Sequence, residues 1–213
     1  DLAAAEHRAV RESLALFDLS SFAKFRVEGP DAEALLQYVS ANDVAVAPGR
    51  AVYTQWLNSA GGIEADLTIT RLAEDSFMVV TGAAAATRDL DWLRRHTPVE
   101  ARVAIVDVTG AEAVLAVMGP AARDLLQPLT TADLSAAAFP FGHAQEIDIG
   151  YVPVRAQRTS YVGELGFELY APSEMAHGVF DRLRAAGADH GLRLAGYHVF
   201  DSCLLYTSPS PRD

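Results

Sequence analysis

One short pattern occurs twice in this chain, and it constrains the fold more than any other feature. Val27, Gly29, Pro30, Ala32, Leu35, Leu36 and Gln37 return ninety residues later as Val117, Gly119, Pro120, Ala122, Leu125, Leu126 and Gln127. The first copy follows the alternating run 24–28, with Phe25 and Val27 inward, and the second follows the apolar run 113–118. Proline suits the first helical position, and Asp31 and Glu33 sit where a helix dipole favours acids. Leu35, Leu36 and Val39 supply the apolar stripe. A single recurrence is not a solenoid, whose periods are shorter and repeated. It reads as two similar strand–Gly-Pro–helix units in two packed subdomains. The plainer alternative is that Gly-Pro is common helix-starting punctuation.

The rest of the pattern predicts a helix over 1–16 and strands over 52–58, 64–71 and 76–81, with Ser59-Ala60-Gly61-Gly62 as a hairpin connection. A helix is expected over 86–96, then strands over 144–149, 152–160 and 167–170, and a helix over 174–190. Antiparallel-looking strands with a few helices indicate an α+β fold, not a doubly wound sheet.

The 213 residues carry 17 basic against 28 acidic side chains, a net charge of −11, which argues against a nucleic-acid binder because nothing would neutralise the phosphates. No apolar run is long enough to span a bilayer, so no membrane partner is expected. The one cysteine, Cys203, cannot build a disulfide framework or a zinc site, and a reducing compartment is the default. No Gly-x-Gly-x-x-Gly or Walker loop appears, and the six histidines show no ligand spacing, so no metal is assigned. The chain opens at Asp1 and ends in Ser-Pro-Ser-Pro-Arg-Asp, which suggests a fragment.

Two segments have the residue types for chemistry. In Gly61-Gly62-Ile63-Glu64-Ala65-Asp66-Leu67-Thr68, alternation puts Glu64, Asp66 and Thr68 on one face and Ala65 and Leu67 on the other. Asp is poorly suited to strands, since its short carboxylate competes for backbone hydrogen bonds. Asp66 is therefore either a carboxylate presented to a cavity, with Thr68 as hydroxyl neighbour, or part of a solvent-facing polar row. In Ser160-Tyr161-Val162-Gly163-Glu164-Leu165-Gly166-Phe167-Glu168, two glycines allow a sharp turn. A carboxylate at Glu164 accepts two parallel hydrogen bonds, as a pterin edge offers, and Tyr161 supplies an aromatic wall. The plainer reading is a hairpin turn with a solvated glutamate.

These segments, with Glu6-His7-Arg8-Ala9-Val10-Arg11-Glu12, Phe17-Asp18-Leu19-Ser20-Ser21-Phe22-Ala23-Lys24-Phe25, Val52-Tyr53-Thr54-Gln55-Trp56-Leu57-Asn58 and Ala195-Gly196-Tyr197-His198, resemble the folate-binding aminomethyltransferase family. That family includes the T-protein of the glycine cleavage system. The match is closer to the C-terminal half of dimethylglycine and sarcosine dehydrogenases. It is collinear from residue 1 to about 202. The family fold is a cloverleaf of three domains around a folate channel. The resemblance implies two α+β, antiparallel-sheet subdomains here, the middle one at about 50–137, with the terminal barrel domain absent. It implies that Asp66 lies beside the reactive nitrogens of tetrahydrofolate, that Phe22, Thr68, Gly82 and Tyr161 line the channel, and that Glu164 holds the pterin.

The chemistry so implied is one-carbon transfer. Oxidation of an N-methylamine by FAD, in a domain upstream of this chain, gives an iminium, and tetrahydrofolate takes its carbon to become 5,10-methylenetetrahydrofolate. Asp66 would accept a proton or stabilise positive charge. The implied partners are folate and the FAD and barrel domains of the same polypeptide, in bacterial cytoplasm or a mitochondrial matrix. The alternatives are a T-protein acting on an aminomethyl group carried by lipoyl H-protein, or a catalytically incompetent fragment of either. Glu64-Ala65-Asp66 departs from the paired aspartates usual in the T-protein, which favours the amine-dehydrogenase branch. After Asp201-Ser202 the family pattern Leu-Arg-Leu-Glu-Lys, whose arginine helps hold folate, gives way to Cys203-Leu204-Leu205-Tyr206-Thr207. Residues 203–213 resemble read-through of a sequencing adapter and are expected to be non-native.

Overall fold

The computed structural model describes residues 2–207, in two compact units. One is the insertion Ser20–Ala111; the other, split in sequence, is formed by the segments before Ser20 and after Ala111. The split unit begins with α1 (Leu2–Glu12) and β1 (Ala15–Asp18). The inserted unit holds β2 (Ala23–Glu28), α2 (Ala32–Val39), β3 (Ala51–Leu57), β4 (Ile63–Ala73), β5 (Ser76–Thr81), α3 (Ala86–Arg95) and β6 (Ala104–Asp107). The split unit resumes with β7 (Glu112–Met118), α4 (Ala122–Leu126), β8 (Ala144–Ile149), β9 (Val152–Gln157) and β10 (Gly166–Pro172). It ends with α5 (Ala176–Gly187), β11 (Arg193–Leu194) and α6 (His198–Thr207).

The recurrence is a structural duplication, not shared punctuation. The inserted sheet runs β3-β4-β5-β2-β6 and the split sheet β8-β9-β10-β7-β1, with β11 added outside β1. All pairings are antiparallel except the parallel β1–β11 pair. The two lone strands are exchanged in sequence: β1 precedes β2 but pairs with β7, and β6 precedes β7 but pairs with β2.

Local bonding repeats as well. Gly29 and Gly119 have φ of +131° and +139°, conformations L side chains rarely adopt. Their N–H groups donate to the carbonyls of Asp75 (2.9 Å) and Leu165 (2.8 Å). A Cβ at Gly29 would strike the carbonyl of Arg102, and one at Gly119 the carbonyl of Ser13. Gln37 Oε1 accepts from the Val44 N–H at 2.7 Å, and Gln127 Oε1 from the Leu134 N–H at 2.9 Å. The loop after each helix is thus tied down by the same glutamine, and the residue it tethers is buried.

Each unit has its own core between helices and one face of its sheet. Phe25, Val27, Leu35, Leu36, Trp56, Leu67, Ile69 and Phe77 fill the inserted one. Leu16, Val117, Leu125, Leu126, Phe139, Phe167, Leu169 and Leu183 fill the split one. Full burial of each such side chain contributes about 2 kcal/mol. The opposite face of each sheet carries the polar residues of interest, and in the split unit Phe200 of α6 packs there on Phe17.

Several boundaries differ from expectation for physical reasons. The helix predicted over 1–16 stops at Glu12, because Leu14 and Leu16 are needed in the core as alternate residues and β1 pairs with β7. The strand expected over 152–160 ends at Gln157, where the chain enters the turn before β10. The helix expected over 174–190 is α5 flanked by single 3-10 turns. A compact unit occupies Ser20–Ala111, where the family likeness puts a middle subdomain at about 50–137. The cause is pairing: β2 joins β5 and β6, while β7 joins β1 and β10. The proposed break at residue 203 falls inside α6, and Cys203 is buried; residues 208–213 lie outside the described residues.

Candidate functional site

In the inserted unit the alternation of β4 holds: Ala65, Leu67 and Ile69 are core residues, and Asp66 and Thr68 lie on the helix-free face. Glu64 is occupied locally. Asn58 donates to it at 2.8 Å while its own oxygen accepts from the N–H groups of Ala60 and Gly62, closing the hairpin. Asp66 has different company. Register sets Gln55 directly opposite, and Gln55 Nε2 donates to Asp66 Oδ1 at 3.2 Å. Tyr53, opposite Thr68, hydrogen-bonds Asp66; that bond, then burial and the carboxylate charge, raises the phenol's pKa.

The same register gathers the other candidates of this unit. Leu67 pairs with Thr81 and Thr81 with Ala23, so Gly82 and Phe22 follow at the level of Asp66 on neighbouring strands. A Cβ at Gly82 would meet nothing within 4 Å, so the space there is open. The Phe22 segment is anchored by the buried Lys24, whose ammonium donates to the carbonyls of Ser20 (3.0 Å) and Phe22 (2.8 Å). Phe22, Gly82, Asp66 and Gln55 thus form one row across the end of the sheet. A cleft of about 650 Å³ elsewhere in this unit, lined by Tyr38, His96 and Glu100 among others, contains none of them.

In the split unit Tyr161 and Glu164 lie on the turn between β9 and β10. Gly163, at φ +75°, makes that turn possible. Arg11 of α1 holds it, pairing with Glu164 Oε1 at 2.9 Å and donating to the Val162 carbonyl at 3.1 Å. Tyr161 meets the ring of Phe200 edge-on, with centroids 6.0 Å apart. Glu164 is therefore a partly exposed carboxylate with one guanidinium partner.

Sequence reasoning missed the more unusual carboxylate, Glu168. It lies on the face of β10 opposite Phe167 and Leu169, the sheet face on which Phe17 stacks against Phe200 of α6, and is only 5% exposed. The Tyr170 hydroxyl donates to its Oε2 at 2.7 Å. The Arg155 guanidinium sits 4.5 Å from the Tyr170 ring centroid and pairs with Glu112 at 2.7 Å. A signal for it existed: Phe167 and Leu169 alternate with Glu168 and Tyr170, so a glutamate shares a strand face with an aromatic. Tyr53 and Gln55 were equally available from the hairpin register. Among the described residues no three His, Cys, Asp or Glu side chains come together as a metal site, and no helix is long and apolar enough to cross a membrane.

Burial pushes the Glu168 carboxyl up to about 7, against the opposing pull of the Tyr170 hydrogen bond. As pH rises the unfolded chain loses this proton first, from its ordinary value of 4.5. The stability that the neutral acid contributes is thus complete below the unfolded value and lost progressively up to about pH 7. The loss is at most about 3 kcal/mol. Glu168→Gln, which keeps the acceptor and removes the titration, should flatten that slope. Urea denaturation at about pH 5 and pH 8 checks this: the variant's advantage should grow with pH, and a constant gap would refute it.

The family model of the GCVT N-terminal domain matches residues 1–205. The chain belongs to the GCVT N-terminal domain family. This GCVT N-terminal domain is 45% identical over 202 residues to a 4-methylaminobutanoate oxidase (formaldehyde-forming) of Paenarthrobacter nicotinovorans, covering 95% of the chain and 24% of that protein. It is 39% identical to the mitochondrial sarcosine dehydrogenase of Mus musculus, covering 92% of the chain and 23% of that protein. It superposes on the glycine cleavage system aminomethyltransferase T of Bartonella henselae with a TM-score of 0.83 at 29% identity, covering 98% of the chain and 55% of that one. The chain therefore spans about a quarter of these oxidoreductase relatives and about half of the transferase. It is an aminomethyltransferase-like domain, related to both kinds of protein.

Proposed function

We propose that this domain binds tetrahydrofolate and serves as the one-carbon-accepting part of an N-methylamine dehydrogenase or oxidase. The observation that carries the reading is the Asp66 row, a strand-borne carboxylate held by Tyr53 and Gln55, in a chain similar to two proteins named for methylamino substrates. The donor set suits a folate. Glu164 and Glu168 are carboxylates fitted to the amino and ring N–H groups of a pterin, and Tyr161 offers an aromatic face. When bound, tetrahydrofolate supplies the nucleophilic nitrogen that accepts the one-carbon unit.

The chain's own residues have three tasks in this scheme. Asp66 takes or holds a proton as nitrogen is alkylated, and its negative charge favours a cationic one-carbon donor. Gln55 and Tyr53 hold its oxygens, so the carboxylate is oriented before the reactants meet. Phe22 and Gly82 lie in the same row, Thr68 stands on the same face of β4 beside Tyr53, and the space at Gly82 leaves room for a ring. FAD belongs to another part of the polypeptide, and none of these residues is assigned to it. A second reading, an aminomethyltransferase of the glycine cleavage type, is favoured by the likeness to the Bartonella structure. Stimulation by H-protein without any flavin would select it.

Calorimetric titration with tetrahydrofolate tests the binding claim. Wild type should bind, Glu164→Ala and Glu168→Ala should each weaken binding about tenfold or more, and Arg11→Ala should have a smaller effect. Wild-type affinity in both glutamate variants would remove these residues from the site, and no binding by wild type would remove the function.

A further inference from the structure

Glu168 has a neighbour chain that the proposed chemistry does not use. Arg155 stands directly opposite Tyr170 in the β9–β10 register. Its side chain reaches across β10 to β7, where Nη2 meets Glu112 Oε2 at 2.7 Å and Nη1 meets Oε1 at 3.4 Å. Both side chains are largely buried, at 13% and 18% exposure, so the pair is little screened. Between its two ends the guanidinium lies over the Tyr170 ring, 4.5 Å from the centroid. The Tyr170 hydroxyl ends at Glu168 Oε2.

We propose that Arg155, locked by Glu112, is a positioning residue that pins the Tyr170 phenol as the donor to one oxygen of Glu168 and so leaves the other oxygen to a ligand. The inference rests on the proposed folate reading for the ligand but not for the network itself. A cation on the π face draws electron density from the ring, which makes the phenol a stronger donor. Burial and the Glu168 charge both raise the Tyr170 pKa, and Arg155 opposes them. On the same sheet face α6 packs through Phe200, which stacks on Phe17 and meets Tyr161 edge-on. Gln157 stands opposite Glu168 and is neutral, and Tyr161 is a second phenol whose charge would raise that of Tyr170. On β7 the register partners of Glu168 and Tyr170 are Ala116 and Val114. Arg155 is the cation that opposes the rise in the Tyr170 pKa.

The test is a carbon-13 NMR titration of the Glu168 carboxyl in the 213-residue chain, with Arg155→Met, Arg155→Lys, Tyr170→Phe and the Arg155→Met/Tyr170→Phe double variant. Arg155→Met should move the Glu168 midpoint upward by about half a unit or more, because a weakened donor no longer favours the carboxylate. Arg155→Lys keeps a cation near the ring and should move it less. In the Tyr170→Phe background, Arg155→Met should add no further shift, since the effect passes through the phenol. An unchanged midpoint in Arg155→Met, or an equal shift with and without Tyr170, overturns the proposal. If Arg155→Met fails to fold, Arg155→Lys decides it with and without Tyr170. A shift that needs the phenol supports the proposal, and an equal shift or none overturns it.

A parallel titration with tetrahydrofolate across the same pH range separates the two claims. If wild type binds, the pH at which affinity changes should track the Glu168 midpoint in every variant, and failure to track it overturns the ligand half of the proposal. If wild type does not bind, the folate reading fails while the carboxyl titration still decides the role of Arg155.

Discussion

Gly119→Ala is expected to destabilise the split unit by about 4 kcal/mol, a large fraction of the total stability of a domain. Two independent costs combine. The residue sits at φ +139°, where an L side chain is strained by roughly 1–3 kcal/mol. The new Cβ would also collide with the Ser13 carbonyl and the Leu14 Cα, which are backbone atoms that cannot rotate away. Gly29→Ala should cost the inserted unit a similar amount, since φ is +131° and the obstacles are the Arg102 carbonyl and the Val103 Cα. Gly110→Ala is the internal control, because a Cβ there meets nothing within 4 Å. Urea denaturation of the three variants measures the effect. Wild-type midpoints for Gly119→Ala and Gly29→Ala would mean that the duplicated turn is not needed for either fold.

Under the proposed function, Asp66→Asn should lower one-carbon transfer to tetrahydrofolate by about 10²–10³-fold, the usual scale for loss of a positioned proton acceptor. Folate affinity and flavin reduction should change little, because the amide keeps the shape of the carboxylate and the proposed amine oxidation takes place outside this domain. Asn loses the charge and one acceptor, which affects the step in which nitrogen is alkylated more than the ground-state complex. Stopped-flow flavin reduction and product analysis in a protein of the proposed dehydrogenase type that carries this domain separate these steps. Transfer at the wild-type rate would return Asp66 to the status of an exposed polar residue. Tyr53→Phe should give a smaller loss in the same step, since Gln55 still holds one oxygen of Asp66.

Much of this arrangement can be read from local patterns. The alternation around Asp66 correctly separates Ala65 and Leu67 from Asp66 and Thr68, because one face of β4 is buried and a one-residue slip would expose it. The Gly-Pro recurrence identifies both turns because only glycine accepts the left-handed φ they need. What escaped local reading depends on distant pairing. Ala15–Asp18 continues an apparently helical run, and only its pairing with β7 makes it a strand. Glu168 looks like any glutamate at the end of a turn motif until neighbouring strands bury it and Tyr170 faces it. The partners of Asp66 lie across a hairpin, so they become visible only once the register is known.

The exchanged lone strands have a further consequence. A polypeptide carrying one repeat, from its lone strand through its second helix, would present that strand to the sheet of a different repeat and leave its own sheet open at the edge. Two copies of such a half-length chain would complete both sheets by reciprocal donation, as in a domain-swapped dimer. Joining the copies end to end turns that exchange into an intramolecular one, with an effective concentration no longer limited by encounter. In this chain the repeats are so joined, and the association has become part of folding.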